Sequence, residues 1–254
     1  MIANRLIPVL LLTDRGLCKT RAFKDPKYVG DPTNAVRIFN DKEVDELLVL
    51  DIQASKRELP PEFKVISRLA AECFMPLGYG GGVCNRVTAA ELFDCGVEKV
   101  VVNTACLDEQ GVLEDIAADA GTQAVIAAID VLSTPDGLRV YDHRRGRVTS
   151  LDVRVHMSRC VDAGAGEIMI TDVRREGSLA GPDLDLVRDL ARDLTIPLIY
   201  NGGVRDLVDA REIVEAGAHA VAGGAMFVLR GPHRAVLITY PSTERIQQAF
   251  GIDP

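Results

Sequence analysis

The sequence repeats itself across its midpoint. Pro76-Leu77-Gly78-Tyr79-Gly80-Gly81-Gly82-Val83 returns as Pro197-Leu198-Ile199-Tyr200-Asn201-Gly202-Gly203-Val204, 121 positions later. The same separation links Glu46 to Glu167, Asp51 to Asp172 and Gly96 to Gly217. Solenoid repeats recur every ~20–50 residues, so a period near half of a 254-residue chain describes something else: two similar halves, roughly 1–121 and 122–254.

Each half alternates short apolar runs with amphipathic segments. The runs are Leu6–Leu11, Glu46–Leu50, Met75–Gly78, Lys99–Val102, Ala124–Ile129, Glu167–Thr171, Pro197–Tyr200 and Ala220–Ala222. Several are rich in Val and Ile without polar alternation, as strands buried on both faces are. Helical patterns at Val87–Cys95 and Val208–Ala216 stop at Gly96 and Gly217, and a third, Leu184–Leu194, precedes Thr195. Eight strands alternating with helices form either a doubly wound sheet or a closed barrel. The duplicated halves favour the barrel. The expected fold is therefore an α/β, single-domain (β/α)8 TIM barrel over 1–254, a size matching the ~250 residues typical of that architecture. No linker divides the chain. Insertions are expected at Phe23–Pro32 and at Ser133–Val148, the second a hairpin turning at Asp136-Gly137.

Composition removes several classes of function. A net charge of −8 argues against a general polyanion binder, so no nucleic-acid partner is expected. No apolar run reaches the ~18 residues of a membrane span, and the run from Leu6 to Leu12 reads as a first strand, not a signal peptide. None of the six cysteines forms a CxxC pair, which points to reduced thiols in a cytoplasmic protein rather than a disulfide or metal framework. His143, His156, His219 and His233 have no partners at ligand spacing and are expected to be surface or structural residues; no metal or other cofactor is expected. No nucleophile-elbow motif supports a Ser-His-Asp triad.

Three groups of residues can carry chemistry. Gly80-Gly81-Gly82 and Gly202-Gly203 each end a strand and precede a helix, where backbone N–H groups can approach a phosphate. A tight turn needing positive φ is the alternative. The pairing of these clusters with Asn103-Thr104 and Gly223-Gly224-Ala225 on the next strands favours two phosphate cups, the second at the usual barrel position. Asp51, Asp130 and Asp172 follow apolar strands, as an acid or base at the mouth would, or as helix N-caps do. Asp130 is the stronger catalytic candidate because apolar Val131 and Leu132 follow it. Arg5, Glu46, Lys99 and Glu167 sit at strand starts, either as a solvated barrel base or as a charge ring across it.

Over essentially the whole chain these residues resemble the cyclase subunit of imidazole glycerol phosphate synthase. The likeness rests on Arg5-Leu6-Ile7-Pro8, Asp45-Glu46-Leu47, Leu50-Asp51-Ile52, Gly80-Gly81-Gly82, Val102-Asn103-Thr104-Ala105, Ala128-Ile129-Asp130 and Gly164-Ala165-Gly166-Glu167-Ile168. The resemblance implies a barrel with one phosphate site per half, docked at its N-terminal face on a glutaminase whose ammonia crosses the barrel. It implies that Arg5, Glu46, Lys99 and Glu167 form the ammonia gate, and that Asp130 is catalytic. It also implies a substrate-binding set of Lys19, Asp51, Gly81, Gly82, Asn103, Thr104, Thr171, Gly177, Gly202, Gly203, Gly224 and Ala225.

Two departures stand out. The family's other essential aspartate, at the end of the first strand, falls on Leu11, which cannot move a proton, and the serine after the last strand is Ala225. With Phe23–Pro32 and Gly231–Pro241, the triple leucine Leu10–Leu12 is similar to a paralogous branch associated with acetamidino modification of surface-polysaccharide sugars. That similarity implies a cognate glutaminase, an amidotransferase-like sugar-modifying protein, and conversion of an acetamido group on a nucleotide-linked sugar. An ordinary cyclase of histidine biosynthesis and a non-catalytic activator of the glutaminase are the alternatives.

Overall fold

The structure is a computed structural model that describes residues 4–108 and 111–251. Eight parallel strands form the barrel: β1 (Arg5–Thr13), β2 (Leu47–Asp51), β3 (Leu77–Gly80), β4 (Lys99–Val102), β5 (Val125–Thr134), β6 (Glu167–Asp172), β7 (Leu198–Asn201) and β8 (Ala220–Gly223). Each pairs with the next, and β8 pairs with β1 through Arg5↔Ala220 to Pro8↔Gly223, which closes the sheet. The expected (β/α)8 architecture is thus present.

Alternation along the strands divides the core. One set of residues, including Ile7, Val9, Leu11, Leu48, Val101, Ile126, Met169 and Ile199, fills the barrel shaft. The other set, including Leu6, Leu10, Leu47, Val100, Ile168 and Val221, packs outward against the helices. Several helices start where Asp or Asn caps them: Asp31, Asn85, Asp152, Asp183 and Asp206 each accept an N–H of the first turn. The two halves also end helices alike. Gly96 and Gly217 take positive φ, and the next residues, Val97 and Ala218, bond back to Leu92 and Ile213.

The boundaries differ from the sequence expectation in instructive ways. β3 starts at Leu77 instead of Met75, because Pro76 has no N–H for the ladder; its carbonyl accepts from Leu47 instead. β2 starts at Leu47, leaving Glu46 just below it. The helix from Leu184 ends at Ala191, three residues early, in a looser turn. β1 and β5 run longer than expected because both continue beyond the barrel into antiparallel pairing. β1 pairs with Gly16–Arg21, which pairs with Lys24–Gly30, so the first insertion begins at Gly16 and not at Phe23. β5 pairs with Gly137–Asp142 around the expected turn, and a further strand, Arg147–Asp152, extends the hairpin. The two insertions meet where the rings of Phe23 and Tyr141 lie 6.1 Å apart. No helix among the described residues is long and apolar enough to cross a membrane.

Candidate active site

At the N-terminal ends of the strands, four charges close a ring. Lys99 Nζ reaches Glu46 at 3.0 Å and Glu167 at 2.7 Å. Arg5 donates to Glu167 at 2.6 Å and also pairs with Glu46. Glu46 and Glu167 are buried, and the two cations retain some exposure. Burial opposes charge on Glu167, yet hydrogen bonds from Arg5 and Lys99 outweigh it and hold the carboxyl below its ordinary range. The same balance holds the Arg5 guanidinium above its ordinary value, with desolvation opposed by Glu167 and Glu46. Of the two arrangements open to these residues, a solvated base or a ring, the structure has the ring.

At the opposite end lies an open cleft of about 940 Å³, counting the solvent space at its mouth. It brings together Lys19, Asp51, Gly81, Gly82, Asn103, Thr104, Asp130, Thr171 and Gly224. A smaller cleft of about 220 Å³ adjoins it and gathers Gly177, Gly202, Gly203 and Ala225 with Lys19 and Gly224. Apart from Asp172, the residues singled out for the upper site therefore line one of two neighbouring spaces, the larger of them drawing on both half-barrels.

The glycine clusters owe their identity to the backbone. Gly81, Gly82, Gly202 and Gly203 all have positive φ. A Cβ on Gly81 would lie 2.4 Å from the Asp51 carbonyl oxygen, and one on Gly203 would lie 2.2 Å from that of Gly181. The tight-turn requirement is thus real, and the same geometry leaves the glycines on the cleft walls. Gly82 N–H donates to Ser55 Oγ at 3.3 Å.

The three aspartates separate by role. Asp172 Oδ1 accepts from Arg174 and Arg175 N–H groups, and the residue lines neither cleft; burial raises its carboxyl above the ordinary value. Asp51 Oδ1 accepts from Gln53 and Ala54 N–H groups while the residue still faces the larger cleft. Asp130 accepts no backbone N–H among the described residues. It lies in the interior of β5, and its Oδ2 accepts from Asn103 Nδ2 at 2.9 Å and lies 3.1 Å from His143 Nδ1.

The hairpin carries His143, expected to be a surface or structural residue, back over the mouth to Asp130, where it lines the cleft. The other three conform: His156 is buried in its helix beside Cys160, His219 Nδ1 accepts Leu198 N–H, and His233 is exposed. Sequence reasoning also passed over Glu176 and Asn201. Glu176 is buried and ion-pairs with Lys19, while also accepting from Thr20 Oγ1 at 2.9 Å. Asn201 donates to Thr171 Oγ1 at 3.3 Å. Lys19 and Glu176 are 157 positions apart, so no local pattern announces their pairing. His143 carried a faint signal as the histidine of a basic turn placed 13 positions after Asp130. Leu11 stands in the cleft wall and packs with the apolar shaft.

A closed α/β barrel with its cleft at the C-terminal strand ends has the site arrangement of barrel enzymes. The chain matches the family described as histidine biosynthesis protein over residues 5–231, and it belongs to that family. It is 42% identical over 248 residues to the protein named "Putative imidazole glycerol phosphate synthase subunit hisF2" of Pseudomonas aeruginosa, covering 97% of this chain and 99% of the relative. It is 39% identical over 253 residues to "Putative imidazole glycerol phosphate synthase subunit HisF" of Leptospira interrogans, covering 98% and 100%. It is 34% identical over 228 residues to "Imidazole glycerol phosphate synthase subunit HisF" of Hyphomonas neptunium, covering 89% and 90%.

Proposed function

We propose that this chain is the ammonia-accepting synthase subunit of a glutamine-dependent complex, working in the cytoplasm. One observation carries the reading: the closed Arg5-Glu46-Lys99-Glu167 ring lies beneath an apolar shaft that opens beside Asp130. A ring of buried charges is a costly way to stabilise a barrel, since apolar residues of similar volume often do as well or better. As a gate it has a purpose. Neutral ammonia can cross an apolar shaft, whereas ammonium would lose its hydration without compensation. A glutaminase docked on the N-terminal face would release ammonia below the ring. Phe74, 87% exposed at the end of the helix preceding β3, offers it an apolar contact.

At the mouth, Gly81, Gly82, Asn103 and Thr104 form one phosphate cup, and Gly177, Gly202, Gly203, Gly224 and Ala225 the other. Lys19, Asp51 and Thr171 lie between them, and Asp130 faces the reacting carbon. The substrate we favour is a nucleotide-linked sugar whose acetamido group becomes acetamidino, with an amidotransferase-like protein activating it. Leu11 favours this reading, because a two-carboxylate mechanism is absent without a partner at that position. The alternative is the cyclase reaction of histidine biosynthesis, favoured by the names of the relatives.

Two experiments separate these. In a reconstituted system of this chain, its glutaminase and the sugar-modifying protein, nitrogen from amide-labelled glutamine is expected in the sugar. Asp130→Asn is expected to reduce that transfer; unchanged transfer would leave the barrel a conduit only. Glutaminase stimulation without emergence of label at the mouth would reduce it to an activator. Growth of a cyclase-deficient histidine auxotroph on this gene would overturn the sugar reading.

A further inference from the structure

The titratable groups lining the larger cleft are Lys19, Asp51, Lys56, Asp130, His143 and Glu176. Most are committed or remote from proton transfer. Lys19 and Glu176 neutralise each other, and Asp51 holds the turn that follows β2. What remains is Asp130 with His143, joined at 3.1 Å between Oδ2 and Nδ1. Asn103 fixes the same oxygen from β4 at 2.9 Å. A carboxylate facing an imidazole nitrogen accepts from it, which makes Nδ1 the donor in the arrangement put forward below. The other ring nitrogen, Nε2, has no hydrogen bond to any described residue, and the ring lines the cleft.

The turn bearing His143 is built to hold it there. Asp142 is buried and accepts Arg144 and Arg145 N–H groups at 3.0 and 3.3 Å. Arg144 reaches across to Asp108 at 2.8 Å, and Arg145 folds back onto Asp142 at 3.0 Å. The charges flanking the imidazole are therefore mutually engaged, and the carboxylate facing it is that of Asp130. This accounts for His143, Arg144 and Arg145 of the basic stretch that the phosphate cups leave unused.

We propose that His143 is a second catalytic residue of the mouth, moving protons at Nε2 while Asp130 holds its orientation and stabilises its charged form. The proposal rests on the ammonia-addition reading above. When ammonia attacks a carbonyl carbon, the N–C bond forms and the C=O π pair moves to oxygen. Nε2 takes a proton from the nitrogen, which has become positively charged, and passes it to that oxygen. A second such transfer lets water leave and the C=N bond form, and the imidazole returns to its starting state. Asp130 and His143 together supply the proton traffic for which Leu11 leaves no second carboxylate.

The test has an arm that needs no substrate. Nitrogen-15 NMR of the full chain labelled in histidine is expected to show His143 as the Nδ1–H tautomer, with that preference lost in Asp130→Asn. An Nε2–H tautomer, or no change in the variant, would overturn the proposal. The kinetic arm uses the three-protein system with a nucleotide-linked acetamido sugar and ammonium chloride, which bypasses the channel. His143→Gln is expected to lower kcat by about 10²–10⁴ with KM little changed, and to flatten the acidic limb of the pH profile. His143→Ala is expected to regain activity with added imidazole. A His143→Gln enzyme with wild-type kcat and pH profile would overturn the proposal. Wild-type turnover with ammonium but none with glutamine would instead overturn the conduction reading alone, and turnover with neither would overturn both.

Discussion

Tyr200 Oη accepts the backbone N–H of Asp183 at 3.0 Å. One half-barrel earlier, Tyr79 occupies the matching place on β3, and its hydroxyl is buried without a hydrogen-bond partner among the described residues. The matching cap, Glu62, makes no side-chain bond to its helix, whereas Asp183 accepts Leu186 N–H. The two halves share a plan but have diverged in how they satisfy it.

That asymmetry sets the sign of two substitutions. Tyr79→Phe removes a buried unsatisfied hydroxyl and is expected to be neutral or stabilising by up to ~1 kcal/mol. Tyr200→Phe strands the Asp183 N–H and is expected to cost about 1–2 kcal/mol. Urea denaturation of both variants checks this; equal losses would contradict it.

The charge ring makes stability depend on acid. Glu167 has its folded-state pKa held below the ordinary 4.5, so its contribution is complete above that value and fades as pH falls through the depressed one. Glu167→Gln leaves Arg5 and Lys99 short of an anion and is expected to cost about 3 kcal/mol at neutral pH. The variant should also lose less further stability between neutral pH and acid than the native chain. Denaturation midpoints across that range measure both effects.

Gly203 and Gly231 distinguish crowding from φ strain. Both have positive φ, +77° and +70°, but a Cβ at Gly231 meets nothing within 4 Å. Gly231→Ala is expected to cost about 1 kcal/mol for conformation alone. Gly203→Ala adds the collision with Gly181 and is expected to cost about 2–4 kcal/mol. It should also weaken binding of inorganic phosphate at the proposed second cup, readable by calorimetry.

Asp142 anchors the turn at the mouth. Its burial opposes ionisation, but bonds from Arg145 and Arg144 outweigh that and hold its carboxyl below the ordinary range. Asp142→Asn is expected to accelerate amide hydrogen exchange at residues 143–146 and to cost about 1–3 kcal/mol. Unchanged protection there would show that the Arg144–Asp108 pair alone holds the turn.

Much of the fold was legible because local rules and global plan agree. The eight apolar runs mark buried parallel strands, Gly96 and Gly217 mark helix ends, and the 121-residue offset relates the halves. Boundaries slipped where partners decided them: Pro76 shortened one strand, and antiparallel pairing with the insertions lengthened β1 and β5. At the mouth, the sequence located the glycine turns and Asp130 but not His143 or Glu176.

The sequence by itself determined the barrel, its duplicated halves and the family to which the chain belongs, because periodicity, turn chemistry and motif spacing act over short stretches or at constant offset. Only the tertiary structure decided that Arg5, Glu46, Lys99 and Glu167 meet as a ring, that Lys19 is neutralised by Glu176, and that His143 joins Asp130. Those pairings are set by barrel closure and by hairpins folding back over the strand ends. Charges brought within 4 Å in a dry interior must pair to be tolerated, and chain separation carries no record of which ones will.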